Sequence, residues 1–212
     1  LFRSPERGAM LGKLRRALLA ANMRHCGALR LDHPDIVHDL QQSQTPRSAI
    51  GFIVRGLHQR YHTHGRPLTL LSLDNLPSNG HVLSNLVLSF AQKLDPTLAQ
   101  WIKATCTFPN SMVDRIVPKT TDNDRSAVEN RLGLQDAWPV VAETFCQWVI
   151  EDRFASQRPA WELGGARFVE SAAAFETLKL RMVNGTHSAI AYLGALAGWH
   201  TVDQAMRQPA LV

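Results

Sequence analysis

A chain of 212 residues with 45% hydrophobic and 19% charged residues has enough apolar side chains for a packed core and has the composition of a globular protein. Its longest apolar runs fall short of the roughly 18 residues that a membrane-spanning helix needs. The net charge of +5 is confined to residues 1–26, which carry six Lys and Arg against one Glu. The remainder is balanced, so the basic stripe of a nucleic-acid-binding protein is missing.

Targeting and redox signals predict a cytoplasmic protein. The stretch from Met10 to Met23 is Arg-rich, acid-poor and amphipathic, like a transit peptide. Because the chain begins with Leu1, we expect a fragment or a disturbed reading frame in this basic segment of doubtful origin, 1–26, rather than a targeting signal. An odd number of cysteines without C-x-x-C spacing indicates reduced thiols: Cys26, Cys106 and Cys146.

The first half of the chain reads as alternating helix and strand. Residues Asp35 to Thr45 are polar and predict turns, and a helix with an apolar stripe follows Pro46. The apolar run from Leu68 to Leu73 predicts a strand buried on both faces of a parallel sheet. Two further helices are expected from about Asn79 and from Pro96. These elements favour an α/β layer.

The second half begins as α/β and ends as helix. A strand is expected from Met112 to Val117 and a short helix from Asp124 to Leu132, followed by the apolar segments 139–142 and 146–150. A long helix is predicted from Ala172 to Trp199, with Gly194 and Gly198 on one face for close packing. The five tryptophans show no joint spacing and are expected in the core. We therefore place a domain boundary near residue 170.

Three polar residues of this last helix form a candidate catalytic set. Lys179, Asn184 and His187 supply an ammonium, a carboxamide and an imidazole. At about 100° per residue, Asn184 lies about 140° and His187 about 80° around the helix from Lys179. A lysine base with donors for a developing oxyanion suits proton transfer at a carbinol, where His187 would orient a substrate hydroxyl. The alternatives are a solvated lysine, an asparagine at a helix kink and a core histidine.

Four segments in fixed order carry a family resemblance. They are Leu70–Gly80, Thr107–Pro118, Gln147–Asp152 and Lys179–His187. Together they resemble the polyol-specific long-chain dehydrogenases, which include mannitol 2-dehydrogenase and the fructuronate and tagaturonate reductases. The resemblance runs from about Gly27 to the C-terminus.

The resemblance implies a role for each matching position. Lys179 matches the catalytic base, and Asn75 and Asn184 match the oxyanion donors. Asn75 also follows a predicted strand, where open α/β sheets bind ligands, although the alternative is a turn residue. Val113 and Asp114 match positions that line the substrate pocket. The alternatives for Asp114 are a pairing with Arg115 or the capping of a turn.

The resemblance also implies metal-independent chemistry with NAD or NADP on a sugar alcohol or ketose. No two of the thirteen glycines are two positions apart, so the G-x-G-x-x-G phosphate turn is missing, and the cofactor-binding residues stay unknown. We expect an internal piece of a larger enzyme: a partial Rossmann-like domain at 27–170 and the start of an all-α substrate domain at 171–212. The piece alone is expected to show little activity.

Two alternatives to this function stay open. The substrate is a hexuronate in the reductases of the same family. Without the phosphate turn, the chain is either a catalytically inactive remnant or one half of an assembly whose other half is a separate chain. His58, His62 and His64 invite a metal site, but without the Glu of a zinc protease a solvated helix end is expected and no metal is assigned.

Overall fold

The computed structural model describes residues 31–209, so the basic segment 1–26 and Cys26 lie outside the described residues. The described chain divides into two compact units. The first unit contains residues 31–111 and 151–160, and the second contains residues 112–150 and 161–209.

The first unit is built mainly from four helices. They are α1 Pro34–Gln41, α2 Ala49–Thr63, α3 Asn79–Leu94 and α4 Pro96–Thr105. Side chains at the N-caps bind the free N–H groups of three first turns: Ser48 accepts from Gly51, Asp95 from Thr97 and His33 from Asp35. The helices expected after Pro46, from Asn79 and from Pro96 are thereby confirmed.

The core of the first unit lies where α2, α3 and α4 pack together. Val54, Phe90, Leu98 and Ile102 are fully buried, and all four belong to the apolar stripes that the sequence shows. Burial of one such side chain stabilises the fold by about 1.5–3 kcal/mol. The stripes therefore decide which face of each helix points inward.

The segment 35–45, expected to form turns, is largely helical. Helix α1 covers Pro34–Gln41, with Pro34 at the first helical position, where its missing N–H costs nothing. Asp39 is buried, and its carboxylate accepts from the N–H groups of Arg47 and Ser48 and from Ser48 Oγ at 2.6–2.8 Å. These bonds stabilise the helix, which the polar sequence of the segment does not predict.

The strand expected over Leu68–Leu73 is much shorter. Strand β1, Leu68–Thr69, pairs in parallel with β2, Cys106–Thr107. Beyond Leu70 the backbone leaves the ladder, and Leu73 is 58% exposed. The expectation was wrong here because side chains, described below, take the hydrogen-bonding groups that a longer strand would give to its neighbour.

The second unit contains a three-stranded sheet in the order β3-β4-β5. Its strands are β3 Ser111–Asp114, β4 Gln147–Glu151 and β5 Ala166–Val169, and the end residues Ser111 and Glu151 fall in the first unit. Helix α5, Asp122–Leu132, begins with a capping box formed by Thr121 and Asp124. Strand β5 was not foreseen. Trp138 is 68% exposed, so its expected place in the core was wrong.

The predicted long helix is a continuous helical run with an irregular middle. Helix α6, Ala173–Leu178, passes into a π-helical segment, Lys179–Asn184, and then into α7, Gly185–Leu196. Gly194 packs against Ala205 of helix α8, Val202–Met206. Gly198 has φ +84° and lies beyond the helix end, so it makes no helix-packing face with Gly194.

Candidate active site

Lys179 begins the π-helical segment of the second unit. The N–H of Gly185 donates to the carbonyl of Leu180, five residues back, where an α-helix would bond four residues back. Such a wide turn is rare and is found frequently at functional sites. The sequence contains no proline or glycine within 179–184 that would indicate a wide turn. The π-helix is therefore a feature that only the structure reveals.

The side chain of Lys179 is buried and held in a defined direction. The residue is only 8% exposed, and Nζ donates a 2.8 Å hydrogen bond to the carbonyl of Val113. The carboxylate of Asp114 lies 4.0 Å from the same nitrogen. A solvated surface lysine, the alternative left open by the sequence, is thereby excluded.

Strand β3 supplies both partners of Lys179. Val113 contributes its backbone carbonyl, and Asp114 contributes a largely buried carboxylate. Arg115 donates instead to the carbonyl of Glu143 at 2.9 Å, so the alternative pairing of Asp114 with Arg115 is wrong. The structure thus brings together three of the residues that the sequence singles out.

The π-helical segment changes the expected angle between Lys179 and Asn184. A π-helical turn takes up one residue more than an α-helical turn, so two residues five apart lie closer to one face than the 140° of an α-helix. His187 lies on α7, three residues after Asn184, so the two side chains are neighbours on the helix surface. His187 is exposed, which excludes the core histidine left open above.

Asn75 lies in the first unit, on an irregular loop. We call residues 70–78, between β1 and α3, the Asn75 loop. The backbone N–H of Asn75 donates to Asp74 Oδ1 at 2.9 Å, and Asn75 is exposed. The role of its carboxamide as an oxyanion donor stays a prediction.

Three buried polar residues that the sequence did not single out organise this end of the first unit. Asn79 bonds to the Asn75 loop and to Ser111, and Asn110 Oδ1 accepts from the N–H groups of Gly80 and His81 at the start of α3. Glu151 accepts from both the backbone and the side chain of Asn110 and from Arg153. The sequence analysis missed them, although each of the three lies inside one of the four family segments, which is the signal by which they could have been found.

A metal site and a nucleophilic cysteine find no support in the described residues. Between residues 31 and 209, no three His, Cys, Asp or Glu side chains are grouped as metal ligands. His58 and His62 contact each other at the end of α2, with ring centroids 4.4 Å apart. Cys106 is buried, and burial raises the pKa of its thiol, which disfavours a nucleophilic thiolate.

A dinucleotide pyrophosphate needs free N–H groups at a helix N-terminus. In the first unit, side-chain oxygens already accept from N–H groups at three helix starts: Ser48 at α2, Asn110 at α3 and Asp95 at α4. Gly80, the second residue of α3, faces the carbonyls of Phe108 and Pro109, so its missing Cβ serves packing. These three helix starts of the first unit therefore do not fit a pyrophosphate site, and no described residue is assigned to the cofactor.

The described chain thus has an α/β region, which includes a parallel strand pair, followed by a helical region that carries the buried lysine. The Mannitol dehydrogenase Rossmann domain model matches residues 12–163, and the Mannitol dehydrogenase C-terminal domain model matches residues 171–212. The chain belongs to the mannitol dehydrogenase family. The expected fold class is confirmed, and the first match begins earlier than Gly27, where the resemblance was expected to start. The boundary near 170 stays a prediction.

Individual relatives agree with this assignment. D-mannonate oxidoreductase of Escherichia coli (strain K12) is 46% identical over 87% of this chain and 38% of its own length. A substrate-free D-sorbitol dehydrogenase structure has a TM-score of 0.80 at 38% identity, covering 87% of this chain and 38% of its own.

A ternary complex of Pseudomonas fluorescens mannitol 2-dehydrogenase with NAD and D-mannitol has a TM-score of 0.76 at 42% identity. It covers 85% of this chain and 37% of its own. The chain thus spans less than two-fifths of the length of these relatives. Within 31–209, every helix falls short of the length or apolar character that a membrane crossing requires.

Proposed function

We propose that this chain carries the acid/base residues of a metal-independent dehydrogenase, which transfers hydride between NAD or NADP and an open-chain polyol or ketose. The observation that carries the proposal is the buried Lys179, which begins a π-helix and is directed by the carbonyl of Val113. The family membership and the NAD and D-mannitol named for the Pseudomonas fluorescens relative support the cofactor and the substrate class.

The chemistry of the chain's own residues is proton transfer and orientation. As the carbinol carbon loses hydride, Lys179 Nζ takes the proton of the hydroxyl on the same carbon. The carboxamides of Asn184 and Asn75 are proposed to donate to the oxygen that becomes negative, and His187 to a neighbouring hydroxyl. When bound, the nicotinamide cofactor supplies the hydride acceptor.

Val113 and Asp114 are proposed to act at the rim of the same site. The carbonyl of Val113 keeps Nζ in one direction, which limits the conformers of a long side chain. Asp114, 4.0 Å from Nζ, is a hydrogen-bond acceptor for sugar hydroxyls. Both residues would therefore bring the substrate hydroxyl to the lysine.

The test uses the complete natural chain that contains these 212 residues. NADH and NADPH oxidation are measured with fructose, and NAD reduction with mannitol. In Lys179→Met, which keeps the apolar stem but removes the amine, kcat is expected to fall by about 10²–10⁴-fold. Lys103→Met, on the exposed surface of α4, is the matched control and should keep the wild-type rate.

Chemical rescue separates loss of the base from loss of structure. In Lys179→Ala, added ethylamine should restore part of the rate, because a small amine can occupy the vacated volume and take the proton. A Lys179→Met protein that turns over near the wild-type rate would exclude the assignment. Loss of activity in Lys103→Met would point to nonspecific damage.

A hexuronate is the second candidate substrate. The observation in its favour is the 46% identity to D-mannonate oxidoreductase, which is no lower than the identity to the mannitol 2-dehydrogenase structure. Fructuronate is therefore assayed beside fructose under the same conditions. The substrate with the higher kcat/KM decides between the two.

A further inference from the structure

A buried asparagine side chain binds the backbone of the Asn75 loop. Asn79 is the first residue of α3 and is fully buried. Its Nδ2 group lies 2.9 Å from the carbonyl of Asp74 and 2.9 Å from the carbonyl of Ser111. Its Oδ1 accepts from the N–H of Ser111 at 2.9 Å. One carboxamide thus bridges the residue before Asn75 and the first residue of β3.

The donor count shows how the contacts are shared. A carboxamide nitrogen has two N–H groups, and the two shortest contacts of Asn79 Nδ2 are the carbonyls of Asp74 and Ser111. The carbonyl of Ser72 is 3.2 Å from the same nitrogen but receives the Ser111 hydroxyl at 2.6 Å. Asn79 and Ser111 therefore hold the loop at two successive points, Ser72 and Asp74.

The backbone immediately before Asn79 is strained. Ser78 has φ 51° and ψ 43°, and within residues 31–209 it is the only residue other than glycine with a positive φ. Such a conformation costs about 1–3 kcal/mol and persists only where the surroundings impose it, often at functional sites. The turn at Ser78 directs the chain so that Asn79, the first residue of α3, can bind the backbone of the Asn75 loop.

We infer that Asn79 is a positioning residue that sets the location of the Asn75 carboxamide for the reacting oxygen. The inference rests on the proposed function for the role of Asn75 itself. An oxyanion donor acts only when it is held at its site before the reaction, and a misplacement of 1 Å can lower the rate by about 10²-fold. Asn75 lies on irregular backbone, and the bonds of Asn79 and Ser111 fix Asp74 and Ser72, the residues one and three positions before it.

The first experiment is a double-mutant cycle on kcat in the complete chain. Asn75→Ala is expected to lower kcat by about 10²–10³-fold, and Asn79→Ala by about 10–10²-fold. If Asn79 acts through Asn75, adding Asn79→Ala to Asn75→Ala lowers kcat no further. Ser111→Ala, a milder change that removes only the hydroxyl bound to Ser72, should lower kcat less than Asn79→Ala and show the same dependence on Asn75.

A matched control separates positioning from general destabilisation. Asp39→Asn weakens another buried polar cluster of the first unit and touches no residue of the Asn75 loop. At a temperature where all variants are folded, Asp39→Asn should keep the wild-type kcat. A loss in Asp39→Asn equal to that in Asn79→Ala would overturn the inference.

Hydrogen exchange gives a readout that needs no activity. Asn79→Ala and Ser111→Ala are expected to speed amide exchange at 73–76 relative to the rest of the first unit, whereas Asp39→Asn is not. Unchanged exchange there, an Asn75→Ala enzyme of wild-type rate, or losses that multiply in the double variant each refute the role of Asn79. The proposed function fails separately, when Lys179→Met keeps its rate or no polyol, ketose or hexuronate is turned over.

Discussion

Asn110→Ala is the most informative test of stability in the first unit. The side chain of Asn110 makes three hydrogen bonds: Oδ1 accepts from Gly80 N at 2.9 Å and from His81 N at 3.1 Å, and Nδ2 donates to Glu151 Oε1 at 3.1 Å. Alanine removes all three. The backbone N–H of Asn110 still donates to Glu151 Oε2, so that part of the cluster survives.

The expected loss follows from which groups lose access to a partner. His81 is exposed, so its N–H can bond to water. Gly80 N is buried and loses its acceptor, and the buried carboxylate of Glu151 loses one of its hydrogen bonds. An unsatisfied buried group costs about 1–3 kcal/mol, and a hydrogen bond to a charged group contributes about 1.5–3 kcal/mol. We therefore expect Asn110→Ala to lower the free energy of unfolding by about 2–5 kcal/mol.

Urea unfolding followed by tryptophan fluorescence measures this loss, because Trp101 packs against Tyr61 within the first unit. Asn85→Ala is the matched control: the same substitution on the exposed face of α3, where alanine gains up to about 0.7 kcal/mol of helix propensity. The Gly80 amide should also exchange faster in Asn110→Ala. A loss below about 1 kcal/mol would refute the reasoning, since it would mean that the buried groups find new partners.

Two further predictions concern α2 and α5. Alanine at Gly51 would place its Cβ against the buried carboxylate of Asp39, and overpacking of this kind costs about 1–3 kcal/mol. Gly56→Ala on the same helix meets open space and should stabilise by about 0.5–1 kcal/mol; calorimetry on both variants checks the sign, and equal effects would contradict the packing. Hydrogen bonds from Thr121 lower the pKa of Asp124, so its contribution is present above the unfolded-state pKa of about 3.9 and is lost as pH falls through the lower folded-state pKa. Chemical shifts of α5 in an acid titration should show the loss in wild type and not in Asp124→Asn, and identical titrations would refute the capping box.

Local chemistry made much of the first unit predictable. The stripes that include Val54 and Phe90 identify the inward faces of α2 and α3, and proline marks the start of α4. Strand lengths were less predictable, because the run after Leu68 leaves the ladder where side chains replace the partner strand. Helix α1 was missed because the bonds that stabilise Asp39 come from residues eight and nine positions later.

The candidate site divides in the same way. The sequence by itself determined which residue types are present and in what order, from Asn75 to Lys179, and that order is enough for the family. It also shows that no G-x-G phosphate turn is present, since the spacing of glycines needs no structure.

Only the tertiary structure decided how these groups are held. A π-helical turn at Lys179 and a hydrogen bond to the carbonyl of Val113, 66 residues earlier in the chain, depend on packing that no local pattern records. The bridge that Asn79 makes between Asp74 and Ser111 likewise joins segments far apart in sequence. Hydrogen bonds of buried polar groups are settled by which partners the fold brings within reach, and that is a property of the whole chain.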